Sequence, residues 1–422
     1  MADTFFHNLR LLDPEAQRLR PGMCVLMRDD RFVGVGEQVE APSGAVKIDL
    51  GGRVMMQGLI DCHVHVTSIK TVWANKSYMF LLPSMVAAAT WTRMKRMLLR
   101  GFTTVRDMGG ADMGHRDAVA EGLVTGPRLF VCGRSISQTG GHGDQRTRVD
   151  HPAPSNSFHF TGGVSGNRRV ADGIDEVRRA VRDEIRLGAD HIKLQVGGGV
   201  GSPADPIHFV QYSIEELRAA VEEAANAHTY VCAHAYTAKA VTRAVTAGIR
   251  TIEHANFLDQ PAANLMVEHG AMMVPTLVAY EATMKFGAAQ GYPAENLKKN
   301  ERVLIVGTKS LEIAKAAGVP IAFGTDLIGE LDSCQSDEFE IRSRVLSNAE
   351  VIHSATIMGA EVVRRKGELG VIAPGAFADA LVLDGNPLED VNLLASAGAD
   401  LRLILANGRI VKDQYGFSGV PL

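Results

Sequence analysis

Short apolar runs alternate with amphipathic stretches through the middle of the chain. The runs MMQGLIDCHVHV, FTTVRDM, RLFVCGRSI, HIKLQV, YVCAHAY, RTIEHANF, AMMVPTLVA and PIAFGTD each read as a buried strand. Between them lie helical patterns. DEVRRAVRDEIRLG spaces Val177, Val181 and Ile185 four apart, which lines one helix face with apolar side chains. SIEELRAAVEEAANAH opens with Ser213 and carries Glu216 three residues on, the signature of a capping box.

Eight strands alternating with helices predict an α/β fold, specifically a (β/α)8 TIM barrel. An open doubly wound sheet is the alternative. It wants a glycine-rich phosphate loop after its first strand, and none is present. The ends of the chain are patterned differently. GMCVLMRDD, RFVGVGE and AVKIDLGG near the start, and ADALVLDG and LRLILANGRIVKD near the finish, are strands punctuated by turns. Each end is too short for an independent domain. The expected organisation is a barrel over residues 56–364 and a small composite β-sandwich domain built from 1–55 and 365–422.

Composition narrows the function. The 422 residues are 46% apolar and 22% charged, with a formal net charge of −4. No basic block tracks phosphates, so nucleic acid is not an expected partner. No apolar run reaches the roughly 18–20 residues of a membrane span, so no membrane is expected either. The opening residues lack the pattern of a signal peptide. The expected location is the cytoplasm, or outside it if a leader has been removed. Five cysteines, at 24, 62, 132, 232 and 334, are scattered without a CxxC pair. They read as reduced thiols.

The chemistry lies at the strand ends. Residues i and i+2 of a strand share a face, so His63 and His65 of DCHVHV project together, at the end of the strand where a barrel builds its active site. Such a pair alone fits core histidines as well as metal ligands. Lys193 of HIKLQV adds weight, because a lysine in an apolar strand is costly unless paired or neutral. A neutral amine there can react with CO2, and the resulting carbamate offers two oxygens for two metals. His234 and His254 follow two later apolar runs. Asp326 closes PIAFGTD, where a lone aspartate alone would read as a helix cap.

Four further features point to a substrate. Tyr236 lies two residues after His234 and shares its face. His142 sits between glycines in the long stretch 138–172, and loops of that length are commonly functional. The same stretch holds Arg146, Arg148, Arg168 and Arg169, any of which could grip a substrate carboxylate through a bidentate fork. GGGVGS at 197–202 permits close backbone approach to a ligand.

GLIDCHVHV, GFTTVRDMGG, GADHIKLQVGGG, CAHAY, IEHANF, FGTD and GVIAPGAFADALVL together resemble the amidohydrolase superfamily, over essentially the whole chain. The resemblance is to the branch of imidazolonepropionase-like enzymes, Xaa-Pro dipeptidases and ochratoxin-hydrolysing amidohydrolases. One departure is Gln57, where the family's usual residue before GLID is proline. The resemblance implies two divalent metals, with zinc expected. His63, His65 and Asp326 would serve one metal and His234 and His254 the other, with Lys193 bridging both as N6-carboxylysine. It also implies Asp326 as proton carrier and Tyr236 and His142 as contacts to the substrate carbonyl. Arg168 and Arg169 are the carboxylate contacts carried forward.

The expected reaction is hydrolysis of an amide bond with release of a C-terminal amino acid. The substrate is a small molecule or dipeptide-like compound, of the N-acyl-phenylalanine type exemplified by ochratoxin A, or an Xaa-Pro dipeptide. A cyclic imide or lactam would suit the same metal core. Lys193 argues against the superfamily's one-metal deaminases, and the full ligand set argues against a non-catalytic barrel. Relatives commonly form homo-oligomers, and the same is expected here.

Overall fold

The computed structural model describes residues 3–70, 81–144, 168–202 and 205–417. The N-terminal strands are β1 (Thr4–Asp13), β2 (Arg18–Arg28), β3 (Arg31–Gly36), β4 (Val46–Asp49) and β5 (Val54–Gln57). The middle of the chain supplies β6 (Leu59–Val64), β7 (Phe102–Asp107), β8 (Arg128–Phe130), β9 (Ser135–Ser137), β10 (Arg168–Val170), β11 (Ile192–Gln195), β12 (Val231–Thr237), β13 (Thr251–Phe257) and β14 (Met272–Val274). The C-terminal strands are β15 (Ala380–Leu383), β16 (Leu401–Ala406) and β17 (Arg409–Asp413).

Both ends of the chain share one eight-stranded sheet, in the order β17-β16-β15-β5-β1-β2-β3 with β4 also on β1. β5 is the seam: it runs parallel to β1 and antiparallel to β15, with Met55 opposite Val382. It straddles the expected division at residues 55 and 56.

The middle strands pair in parallel, as β6-β7-β8 and as β10-β9-β11-β12-β13-β14. Parallel strands buried on both faces need helices between them, and the chain supplies these. In the helix Gly173–Arg186, Val177 and Val181 are buried against this sheet and Ile185 packs at its margin. The helix Ile214–Asn226 carries the full capping box between Ser213 and Glu216, a feature that contributes about 1 kcal/mol.

Four of the expected strands come out differently; AMMVPTLVA is strand only over Met272–Val274, and Leu277 already opens the helix Leu277–Phe286. MMQGLIDCHVHV divides at Gly58 into β5 and β6, which lie in different sheets. Gly58 gives its N–H to Asp379, and a Cβ there would fall 2.1 Å from Thr103 Oγ1. RLFVCGRSI divides around Gly133, whose φ of 67° suits glycine. PIAFGTD forms only one bridge, Ile321 to Met273, because Phe323 turns its N–H to Ser354. The segment still joins the two parallel sheets. Ala322 N–H reaches Met273 O at 2.9 Å, and Phe323 O accepts from Cys62 at 2.8 Å. Among the described residues no helix is long and apolar enough to cross a membrane.

Candidate active site

The strand ends converge on Asp326. Its Oδ1 lies 3.4 Å from His63 Nε2 and 3.2 Å from His65 Nε2, and its Oδ2 lies 3.9 Å from His254 Nε2. The carboxylate is held there by its own backbone, which donates N–H to His63 O at 2.7 Å. Ligand atoms of His63, His254 and Asp326 all fall within 4.8 Å of one another. Asp326, at φ 52°, His254, at φ 74°, and Ala255, at φ 50°, adopt left-handed backbone. Each such residue costs on the order of 1–3 kcal/mol, and this strain sits where the reactive side chains are aimed.

Each imidazole has one nitrogen occupied by the protein. His63 Nδ1 meets Glu253 Oε2 at 2.8 Å, His65 Nδ1 meets Gly109 O at 3.0 Å, and His254 Nδ1 meets Thr276 Oγ1 at 2.8 Å. His234 instead uses Nε2, which meets Gly198 O at 3.1 Å. Such contacts set ring orientation and leave the other nitrogen for a ligand.

Electrostatics follow the same design. Burial pushes His234 and His254 well below the ordinary histidine range, which keeps their lone pairs available. Burial alone would raise Asp326, but His63, His65 and His254 outweigh it and hold the carboxyl well below its usual range. His63 is lowered by burial and raised by Asp326, and the raising wins. Glu253 is fully buried, yet Arg106 at 2.8 Å, together with His63, keeps it ionised.

A cavity of about 110 Å³ opens on this cluster. His63, His65, Lys193, His234, His254 and Asp326 all line it, as do His142, Tyr236 and Arg168. Lys193 is 2% exposed and has no hydrogen bond or ion pair among the described residues. A buried amine without a partner is costly. The four imidazoles and the carboxylate around it are donors of the kind that suit divalent cations.

Tyr236 accepts a hydrogen bond from Tyr280 at 3.1 Å, and its ring lies 4.7 Å from His234. His142 stacks on His234 at 4.3 Å. Arg168 donates to His142 O at 2.8 Å. Arg169 separates from this group: it pairs with Asp183 on the helix Gly173–Arg186, at 2.8 Å, and is not among the residues that line the cavity. Alternation along β10 accounts for the split, since neighbours in a strand face opposite ways. Arg146 and Arg148 lie outside the described residues.

The sequence reading passed over Glu253, Arg106, Tyr280 and Gln195. Arg106 and Glu253 are completely buried charges inside apolar strands, the same signal that singled out Lys193. Gln195, two residues after Lys193, lines the cavity, and its Oε1 has no hydrogen-bond partner among the described residues.

The sequence pattern of the amidohydrolase family matches residues 54–411. Ochratoxinase from Aspergillus niger is 32% identical over 398 residues, covering 91% of this chain and 81% of that protein. A prolidase solved in complex with N-methylphosphonate-L-proline is 47% identical, with a TM-score of 0.93 and coverage of 98% of this chain and 100% of that one. An Xaa-Pro dipeptidase solved with methionine in its active site is 29% identical, with a TM-score of 0.86 and coverage of 97% and 100%.

Proposed function

The chain belongs to the amidohydrolase family and is a hydrolase of amide bonds, and on that premise we propose that it releases the C-terminal amino acid from a dipeptide-like substrate. The observation that carries this reading is the convergence of His63, His65 and His254 on Asp326, with Lys193 bare in the same cavity. We read the two parallel sheets and the segment joining them as a (β/α)8 barrel, and the terminal sheet as its small β-sandwich domain.

In this reading His63, His65 and Asp326 would hold one divalent ion and His234 and His254 the other, with Lys193, as N6-carboxylysine, as a ligand to both. Zinc is the expected metal. Bound there, the ions supply Lewis acidity, lowering the pKa of a water toward about 7 and polarising the scissile carbonyl. Asp326 accepts the proton of the attacking water and delivers it to the leaving nitrogen, which departs only when protonated. Tyr280 donates to Tyr236, so the Tyr236 hydroxyl proton is free to meet the developing oxyanion. His142, stacked on His234, approaches the same carbonyl. Arg168 offers its guanidinium to the substrate carboxylate.

Likeness to the prolidase, at 47% identity, supports proline at the released position. Likeness to ochratoxinase supports a second reading, an N-acyl-phenylalanine amide. A panel of Xaa-Pro, Xaa-Phe and N-aroyl-phenylalanine compounds, with cyclic imides alongside, tests both. Release of proline or phenylalanine is the expected result. Turnover of the cyclic imides alone would overturn the substrate class.

A further inference from the structure

The loop after β11 holds a carboxylate that the reaction above does not use. Asp205 is 1% exposed. Its Oδ2 accepts the N–H of Gly199 at 2.8 Å and lies 3.3 Å from His142 Nδ1. Its Oδ1 accepts the hydroxyl of Ser202. Ser202 Oγ in turn lies 2.9 Å from the same His142 Nδ1.

These contacts allow one arrangement of protons. A serine hydroxyl has a single proton, and here it goes to Asp205. Ser202 Oγ can then only accept from the imidazole, so Nδ1 of His142 carries hydrogen. Nε2 is the ring nitrogen left for the cavity.

The ring is also closely packed. One face lies on His234, with centroids 4.3 Å apart and planes 12° from parallel. Gly199 meets the ring so closely that a Cβ there would fall 2.0 Å from His142 Cε1. The loop is latched from behind by the helix Ala294–Ala317. Lys299 Nζ reaches the carbonyls of Gly199, Ser202 and Asp205 at 3.3, 3.2 and 3.2 Å.

We propose that Asp205 and Ser202 are positioning residues that act through His142. They set its tautomer and direct Nε2 at the substrate. The catalytic consequence rests on the hydrolase reading, but the tautomer does not. The competing account is purely structural, with Asp205 holding the Gly199 amide and the loop.

Asp205→Asn separates the two. With its one oxygen kept on Gly199, the amide NH2 faces Ser202 and turns that hydroxyl toward His142. The imidazole then moves its hydrogen to Nε2. Nitrogen NMR of the full-length chain carrying isotope-labelled histidine reads this directly, with His142→Gln identifying the signal. The expected result is an Nδ1–H ring in the wild type and an Nε2–H ring in Asp205→Asn. An Nε2–H ring in the wild type, or no change in the variant, would overturn the proposal.

The kinetic arm uses Ala-Pro as probe. Asp205→Asn is expected to lower kcat/KM by about 10–100-fold, and by less than about twofold when His142 is already Gln. An equal loss in both backgrounds would assign Asp205 to the loop and sink the proposal. If the wild type does not cleave Ala-Pro, the proline reading has failed, and the NMR result still decides the positioning role.

Discussion

Glu253 Oε2 lies 2.8 Å from Nδ1 of His63, and neither side chain is more than 1% exposed. The contact fixes which nitrogen of His63 faces Asp326, and Arg106 and Thr251 hold the other oxygen of Glu253. A carboxylate in that place makes the imidazole a better ligand. Glu253→Gln is therefore expected to weaken metal affinity by about 10–100-fold. Competition with a chelator of known strength measures it, and unchanged affinity would contradict the role.

Lys193 makes no hydrogen bond or ion pair among the described residues, so its removal tests the second metal. Metal analysis of the purified wild type should find close to two ions per chain. In Lys193→Ala the content should fall to one or below, with hydrolysis lost. A variant that keeps both ions and full turnover would refute the bridge.

Two buried carboxylates carry opposite pH signatures. Glu253 is held below its ordinary value of 4.5, because Arg106 and His63 outweigh its burial. The stability it contributes is present above pH 4.5 and drains away as pH falls further. Glu338 is the reverse: burial pushes it up to about 7 despite Arg342. Its contribution is largest below pH 4.5 and is lost as pH rises toward 7. Urea unfolding across this range, each variant (Glu253→Gln, Glu338→Gln) compared with wild type, should give differences of opposite slope. A shared slope would contradict one assignment.

The thiols make a simpler test. Burial pushes Cys62 and Cys232 up to about 12 and raises Cys132 and Cys334. Only Cys24 is partly exposed. Thiolate is the reactive form, so one cysteine should react quickly with a disulfide reagent at pH 8 and four only on unfolding. Rapid reaction of two or more would show a looser interior.

Much of the site could be read from the strands because alternation is a local rule. His63 and His65 share a face by spacing alone, and Lys193 is conspicuous in an apolar run. Glu253 and His254 show where the rule fails. Adjacent residues in a regular strand face opposite ways, yet both reach the interior here. The left-handed backbone at His254 and Ala255 turns the histidine inward, and nothing in TIEHANF announces that turn. Arg168 and Arg169 failed to separate for a different reason. β10 is three residues long and pairs with β9 alone, so its strand character appears only after the chain has folded. The split at Gly58 was hidden likewise, because the Thr103 side chain that demands a glycine lies on another strand.

The seam at β5 has a consequence for how the molecule is made. Met55 pairs with Val382, about 330 positions later in the chain. At about 5–20 residues per second, a ribosome takes roughly 15–65 s to cover that distance. Through that interval β5 has β1 beside it but lacks β15. Val54, Met55 and Met56, each wholly buried in the finished protein, stand along an open edge that can pair with other chains. The strand bearing His63 begins two residues after β5, so the nascent chain is exposed to mispairing beside the candidate site until its last strands emerge.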